Sequence, residues 1–260
     1  MNDSQTDFKN ILLTVIEQEQ ENYRQKSDIT SRWRQPLLAA ASARDDYFTE
    51  LKEAVSPNHL LPEDLLAGAE TVICYFLPFA ADIPASNTGA GRPSRKWARA
   101  YRETNSLIGR INKKLQQKIE QLGGRASFAA ATGNFSREEL VSRWSHKHAA
   151  YIAGLGTFGR HHMLITESGC GGRIGSLVTD MVLSADHRPE EEYCLDKAGQ
   201  DCQECVDSCE FSALTTTGLD RETCYQVLLD NTSYFNAEDL EVCGKCAVDL
   251  PCTLTNPREE

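Results

Sequence analysis

Cysteine is the residue type with the most chemical content in this sequence. The chain has 260 residues and ten cysteines, eight of which fall in its last quarter. These eight are Cys194, Cys202, Cys205, Cys209, Cys224, Cys243, Cys246 and Cys252. The N-terminus has neither the basic start nor the apolar stretch of a secretory signal, so we expect a cytoplasmic protein with reduced thiols. The eight thiolates are therefore predicted to be metal ligands.

The cysteine spacings are similar to those of bacterial two-cluster ferredoxins. Those proteins use C-x2-C-x2-C-x3-C-P, in which three cysteines hold one 4Fe–4S cluster and the fourth ligates the other. Here the x2 and x3 spacings remain, the first gap is seven residues, and Glu210 replaces the proline. If one cysteine of each group here also ligates the cluster of the other group, the eight cysteines are predicted to hold two 4Fe–4S clusters. Their ligand sets are Cys194, Cys202, Cys205 and Cys252 for one, and Cys209, Cys224, Cys243 and Cys246 for the other. A pair of four-cysteine zinc sites is the competing interpretation, because C-x2-C also suits zinc.

Charge is distributed unevenly along the chain. The formal net charge is -11, and residues 191–260 carry sixteen acidic residues against four basic ones. We therefore predict an α/β domain over residues 1–188 and a separate cysteine-rich domain over residues 189–260. The acidic domain is unfavourable for nucleic-acid binding. The longest apolar run, residues 72–81, is interrupted by Pro78 and is shorter than the ~20 residues of a membrane-spanning helix, so no membrane partner is expected.

Helical and strand patterns alternate before the cysteine-rich domain, which predicts an α/β layer fold. The predicted helices cover residues 8–23, 47–55 and 94–122, with a further helical first turn at Pro62. The predicted strands cover residues 71–77, 125–131, 163–166 and 174–183. The run 71–77 is continuously apolar, so it predicts a strand buried on both faces, with Cys74 in the core. Residues 82–93 contain several prolines and glycines and predict a loop.

A capping-box pattern at Ser136 predicts a helix from there to residue 153, with Gly154 as its C-terminal stop. On such a helix His146 and His148 project about 200° apart, so they cannot both face one site. An imidazole has a pKa near neutrality and can act as a proton donor, so these two residues are the candidate catalytic groups. The alternative for each is a histidine that is simply hydrogen-bonded at the surface.

The glycine-rich segment that follows matches G-x-G-x-x-G, but it comes after a predicted helix and lacks the context of a dinucleotide fingerprint. It is better interpreted as a tight turn that another group approaches closely. The candidate cofactor-binding residues are Gly154, Gly156, Gly159 and His161. Cys170 lies in a second glycine-rich turn, where it is either a packing residue or a reactive thiol.

The cysteine pattern, together with the segments 144–159 and 163–166, resembles the epoxyqueuosine reductase family and its iron–sulfur relatives, which include the reductive dehalogenases. The similarity runs from about Thr71 to Cys252. It implies a nitroreductase-like, cobalamin-binding α/β domain, followed by a small ferredoxin-like domain whose two 4Fe–4S clusters feed electrons to cobalt. The implied reaction is reductive, and in the queuosine enzyme it removes an epoxide oxygen from a modified tRNA nucleoside.

The sequence also departs from this family. The family's Asp-[Ser/Thr]-Gly-Pro segment, whose aspartate is the proton donor, has no counterpart, and residues 140–143 stand in its place. The Lys-Asn-Thr that follows the glycine turn is replaced by residues 160–162. The chain ends eight residues after Cys252, without the tRNA-binding repeats of many family members. We therefore expect a divergent paralogue with another, unknown substrate and no tRNA partner.

Two functional hypotheses follow. The first is an oxidoreductase in which the clusters pass electrons to a substrate or a corrinoid near residues 144–162, supplied by a donor such as a ferredoxin or flavodoxin. A flavin in place of the corrinoid is a variant of it, although the sequence has no flavin motif. The second is a non-enzymatic electron-transfer adaptor without cobalamin, whose α/β domain only docks a partner.

Overall fold

A computed structural model describes residues 3–130, 134–237 and 240–258. The helices are α1 (Asp3–Arg24), α2 (Asp46–Ala54), α3 (Pro62–Leu65), α4 (Asp82–Ala85), α5 (Arg95–Gln121), α6 (His146–Ile152), α7 (Glu204–Asp207) and α8 (Arg221–Phe235). The strands are β1 (Leu37–Ser42), β2 (Thr71–Pro78), β3 (Ala126–Ser127), β4 (Phe135–Ser136), β5 (Val141–Ser142), β6 (Gly156–Phe158), β7 (Leu164–Thr166) and β8 (Gly172–Thr179). A 3-10 turn covers Lys245–Ala247. The fold mixes helices with small open sheets, as the sequence predicts.

The central sheet has the strand order β1-β2-β8-β3, and each neighbouring pair is antiparallel. Strand β2 is buried along its whole length, which confirms the prediction made for residues 71–77. Its side chains alternate between two apolar clusters. Ile73, Tyr75 and Leu77 belong to one cluster, and Val72, Cys74 and Phe76 belong to the other. The sheet therefore needs a helical layer on each face.

Helices supply both of those layers. Helix α5 packs on β8 and on α1 at one face, and α6 packs on β2, β8 and α2 at the other. Helix α5 begins where the sequence predicts, because the Ser94 hydroxyl accepts a hydrogen bond from the Trp97 amide. Its buried residues recur every three or four positions, so one face of the helix is held against the sheet.

The helix predicted over residues 136–153 is wrong in its first half. Strands β4 and β5 form a hairpin there, and α6 begins only at His146. The Ser136 hydroxyl does accept a hydrogen bond from the Glu139 amide, at 3.2 Å, but the Glu139 carboxylate accepts from Ser56 and Asn58 instead of capping a helix. Leu140 has a φ of 52°, which ends any helical continuation. The predicted stop is confirmed, since Gly154 follows α6 with a φ of 87°.

Two smaller predictions also need correction. The strand predicted over residues 125–131 is only the two-residue β3, and residue 131 lies outside the described residues. The loop predicted over residues 82–93 begins with the short helix α4. In the described ranges, no helix is both long and apolar enough to cross a membrane.

The cysteine-rich end of the chain is tied to the rest through backbone groups. Near residue 90, Asn87 Nδ2 donates to the Cys243 carbonyl, and Lys245 Nζ donates to the carbonyls of Asn87 and Gly89. At the opposite side, the Cys170 amide donates to the Cys252 carbonyl at 2.8 Å. These contacts fix the cysteines against the loops that follow β2 and β7.

Candidate metal centre and adjoining cleft

Four of the predicted ligands form what we call the first quartet: Cys194, Cys202, Cys205 and Cys252. All four line one small cavity. Burial, followed by the nearby thiols of the other three, raises the pKa of Cys205 to about 12. Thiols that hinder one another's ionisation in this way are stabilised as thiolates when a cationic metal centre binds them.

The other four ligands form the second quartet: Cys209, Cys224, Cys243 and Cys246. Cys224 lies in α8, while Cys243 and Cys246 flank the start of the 3-10 turn. Burial, followed by the other three thiols of this quartet, raises the pKa of Cys246 to about 12. Cys205 contributes to the same shift, so the quartets are adjacent. The structure brings the eight thiols into two groups of four, and their ligation of iron stays a prediction.

His161 lies against the first quartet and not in the cleft described below. The Met163 amide donates to His161 Nδ1 at 3.1 Å, so the ring proton is assigned to Nε2. His161 Nε2 is 3.5 Å from Cys252 Sγ, which makes it a donor to that sulfur. Donation of this kind to a metal-ligating group orients the ligand and tunes the metal.

Cys170 is a second neighbour of the first quartet. Its thiol is buried, and the ligand atoms of His161, Cys170 and Cys252 all lie within 4.8 Å of one another. Hydrogen bonding from Cys170, and then from His161, lowers the pKa of the Cys252 thiol. Of the two alternatives for Cys170, the buried packing position fits the structure better than an exposed reactive thiol.

Trp97 and Gly244 form the back of the second quartet. Gly244 has a φ of 76°, and a Cβ there would overlap the Trp97 indole. The indole Nε1 is buried and has no hydrogen-bond partner among the described residues. A buried N–H without an acceptor, beside Cys243, suits a group that carries acceptor sulfurs. The residues present therefore fit a thiolate-bound metal group.

A cleft of about 860 Å³ lies between the α/β body and the cysteine-rich end. Its walls come from the β4–β5 hairpin, α6, the glycine turn, β8 and α8. Cys224 of the second quartet forms part of one wall, and the aromatic residues Phe158 and Tyr225 form others. The volume is in the range of small-molecule binding sites. The second quartet therefore has direct access to a ligand-sized space.

The structure places His148 at this cleft. Its Nδ1 is 2.7 Å from the Ser145 hydroxyl, and its ring lies 4.9 Å from that of Phe158. Burial, followed by the charge of Lys147, lowers the pKa of His148 to about 4. The imidazole is consequently neutral at pH 7.

His146 does not line the cleft. Its Nδ1 is 2.7 Å from the Ser176 hydroxyl, and its Nε2 is 3.2 Å from the Ala130 carbonyl oxygen. Burial lowers the pKa of His146 to about 4, so this ring is also neutral at pH 7. The two candidate catalytic histidines are thus separated, as their spacing on a helix requires.

Of the three candidate glycines, only Gly159 lines the cleft. A Cβ at Gly154 would overlap the backbone of His187, and a Cβ at Gly156 would overlap the carbonyl oxygen of Ile165. The group that approaches these two glycines closely is therefore the chain itself. Other cleft residues carry no recognisable signal in the sequence, namely Asn134, Arg173, Lys197, Arg221 and Tyr225. They come from four segments of the chain, since Arg221 and Tyr225 both lie in α8, and no single local motif contains them all.

Comparisons with known proteins define the fold. No protein-family model matches the sequence, and no curated protein is significantly similar to it. A selenomethionine-labelled epoxyqueuosine reductase aligns with a TM-score of 0.54 at 14% identity, over 93% of this chain and 66% of that chain. Epoxyqueuosine reductase from Streptococcus thermophilus aligns with a TM-score of 0.55 at 16% identity, over 92% of this chain and 66% of that chain. The chain therefore has the epoxyqueuosine reductase fold, as the resemblance implies, and spans about two thirds of the length of those proteins.

Proposed function

We propose that this protein is an iron–sulfur redox protein whose two 4Fe–4S clusters pass electrons to a substrate, or to a corrinoid, in the cleft. The observation that carries the proposal is the pair of adjacent cysteine quartets, the second of which forms part of the cleft wall through Cys224. The shared fold with epoxyqueuosine reductases supports it. We expect the substrate to differ from that of those enzymes, because residues 140–143 and 160–162 replace family motifs.

The cysteine-rich end would hold and insulate the redox groups. Each quartet supplies four thiolates, which is the ligand set of a 4Fe–4S cluster, and such clusters supply one-electron transfer when bound. His161 Nε2 donates toward Cys252 of the first quartet, and the Trp97 indole N–H lies behind the second. N–H donors beside a cluster would stabilise its reduced form, whose sulfurs carry more negative charge, and would so raise its reduction potential.

The cleft would bind the electron acceptor. Phe158 and Tyr225 offer aromatic wall positions, beside Gly159, for a flat ring such as a corrinoid. His148 is neutral at pH 7, so it is suited to hydrogen bonding with a bound ligand rather than to acting as an imidazolium acid. The body of the protein thus positions the acceptor, and the cysteine-rich end supplies the electrons.

The proposal is tested on full-length protein reconstituted anaerobically with iron and sulfide. Dithionite should bleach its visible absorbance and produce the EPR signals of reduced clusters. Added cob(II)alamin should change to a base-off EPR spectrum. Protein that neither bleaches nor shows such signals would refute the redox function. Redox-active protein that leaves the cobalamin spectrum unchanged would favour the electron-transfer adaptor.

A matched pair of variants tests whether cobalamin binds in the cleft. Tyr225→Ala removes part of the cleft wall and should weaken cobalamin binding. Tyr234 lies on the same helix but outside the cleft, and 53% of it is exposed. Tyr234→Ala should therefore leave cobalamin binding unchanged. Equal behaviour of the two variants would mean that cobalamin does not bind in the cleft.

A further inference from the structure

The charge of the cleft is opposite to that of the chain. The chain as a whole has 27 basic and 38 acidic residues. The charged residues that line the cleft are Lys147, Arg160, Arg173, Lys197 and Arg221, with Glu241 as the acidic one. Lys197 and Arg221 are two of the four basic residues in the acidic segment 191–260. The few cations of that segment are thus concentrated where the cleft is.

Four of the five cleft cations have no anionic partner among the residues that the structure describes. Arg160 forms an ion pair with Asp196. None of the ion pairs between described residues includes the other four cleft cations, which are Lys147, Arg173, Lys197 and Arg221. Lys147 Nζ donates to the His162 carbonyl at 2.9 Å, and the Arg173 guanidinium lies 4.2 Å from the Tyr101 ring centre. Lys147 and Arg173 are half-buried, while Lys197 and Arg221 are exposed. A cluster of cations without a counter-charge gives the cleft a positive potential, which favours the binding of an anion.

The cations act on one shared space. Burial is the main cause of the lowered pKa of His148, and Lys147 and Arg221 add to it. Burial also lowers the pKa of His162, with Lys147, Lys197 and Arg221 adding to it. Two rings that line the cleft therefore experience the positive charge of residues from three separate segments. A ligand bound between them would experience the same positive potential.

Neutral polar atoms complete the site. Asn134 Oδ1 and the Tyr225 hydroxyl are buried, line the cleft, and lack hydrogen-bond partners among the described residues. They are available to a ligand that also carries hydrogen-bonding groups. The cleft has the volume of a small-molecule site, and the acidic segment 191–260 would repel a long polyanion that extended beyond it.

We propose that the cleft binds a small organic anion that carries at least two negative charges, as carboxylate or phosphate groups. Its role as the acceptor of the clusters' electrons rests on the proposed function. Its binding does not, because the cations that hold it are present whether or not the clusters are reduced. The two statements can therefore fail separately.

The test is isothermal titration calorimetry of the full-length, anaerobically reconstituted protein with citrate and with pyrophosphate as probes. At least one probe should bind with one-to-one stoichiometry, and added salt should weaken the binding. Arg221→Gln and Lys197→Gln should each weaken it roughly tenfold, because each removes a charge-assisted contact. Arg221→Lys should retain most of the affinity. Preference for citrate or for pyrophosphate distinguishes carboxylate from phosphate ligands.

Lys114→Gln is the matched control. Lys114 is an exposed cation of α5 that does not line the cleft, so its replacement should leave the affinity unchanged. Absence of binding for both probes, or equal weakening by Lys114→Gln, would overturn the proposal. Tighter binding of an RNA stem-loop than of either probe, lost in Arg221→Gln, would assign the cleft to nucleic acid instead. Anion binding by protein that cannot be reduced would contradict only the redox function.

Discussion

The two cysteine quartets have the same ligand chemistry but different surroundings. The α/β body contacts the first quartet at Cys252, where His161 and Cys170 approach the Cys252 sulfur. The second quartet is open to the cleft through Cys224 and has Trp97 behind it. Hydrogen bonds to sulfur and exposure to solvent are two main determinants of cluster potential. The difference indicates that the body tunes the first quartet and gives the second access to a ligand.

The largest expected effect comes from removing one thiol from each quartet. Cys205→Ala and Cys246→Ala should each lose one cluster, so that iron falls from about eight to about four per chain by metal analysis. Cys74→Ala is the control, because Cys74 lies in the core strand β2 and should not affect iron. Full iron in either ligand variant would show that the residue is not a ligand. Loss of all iron in both would show that the quartets do not assemble independently.

A smaller effect is expected at the back of the second quartet. Gly244→Ala combines a φ of 76° with overlap of the Trp97 indole, so the free energy of unfolding should fall by about 3 kcal/mol. Gly199→Ala is the matched control, since Gly199 has a φ of 84° and open space around it, and it should cost about 1 kcal/mol. The unfolding midpoints and the EPR signals of both clusters measure the difference. Equal destabilisation by both variants would contradict the packing of the Trp97 indole against Gly244.

The two buried histidines of α6 should make the stability of the protein depend on pH. Burial lowers the pKa of His146 and of His148 from 6.5 to about 4. Between these values the unfolded chain binds protons that the folded chain does not. Stability should therefore fall as the pH decreases through this window, by up to about 1.4 kcal/mol per pH unit for each histidine. Thermal unfolding midpoints measured across the window should show a shallower decline in His146→Gln and His148→Gln, and an unchanged decline would contradict the assigned burial.

The smallest expected effect is on the reduction potential of the cluster in the first quartet alone. His161→Leu removes the N–H that donates toward Cys252, so the potential of one cluster should shift by about 60 mV to more negative values. His161→Gln keeps a donor and should restore part of the shift. EPR-monitored redox titration measures both clusters in one sample. A shift of both potentials, or of neither, would remove the distinction between the quartets.

Where local patterns determine the structure, the sequence was sufficient. Helix α5 was predictable because Ser94 caps it, apolar residues recur along one face, and glycine follows its end. The grouping of cysteines into two sets of four also follows from spacing. Helix α8 was missed because it buries little beyond Val227 and Asn231, which leaves almost no helical periodicity to detect.

Where distant segments determine the structure, local patterns failed. The hairpin at residues 135–142 replaces a predicted helix because Glu139 finds its partners in Ser56 and Asn58, about eighty positions away. Strand β1 is a short run rich in alanine that becomes a strand by pairing with β2. The cleft cations come from several elements, so their convergence is visible only in three dimensions.

The central claim is that the two quartets hold iron–sulfur clusters, and iron, zinc and acid-labile sulfide content tests it most directly. Full-length protein purified without oxygen should contain about eight iron and eight sulfide per chain. About two zinc per chain, with no sulfide, would show instead that the cysteines form two structural zinc sites.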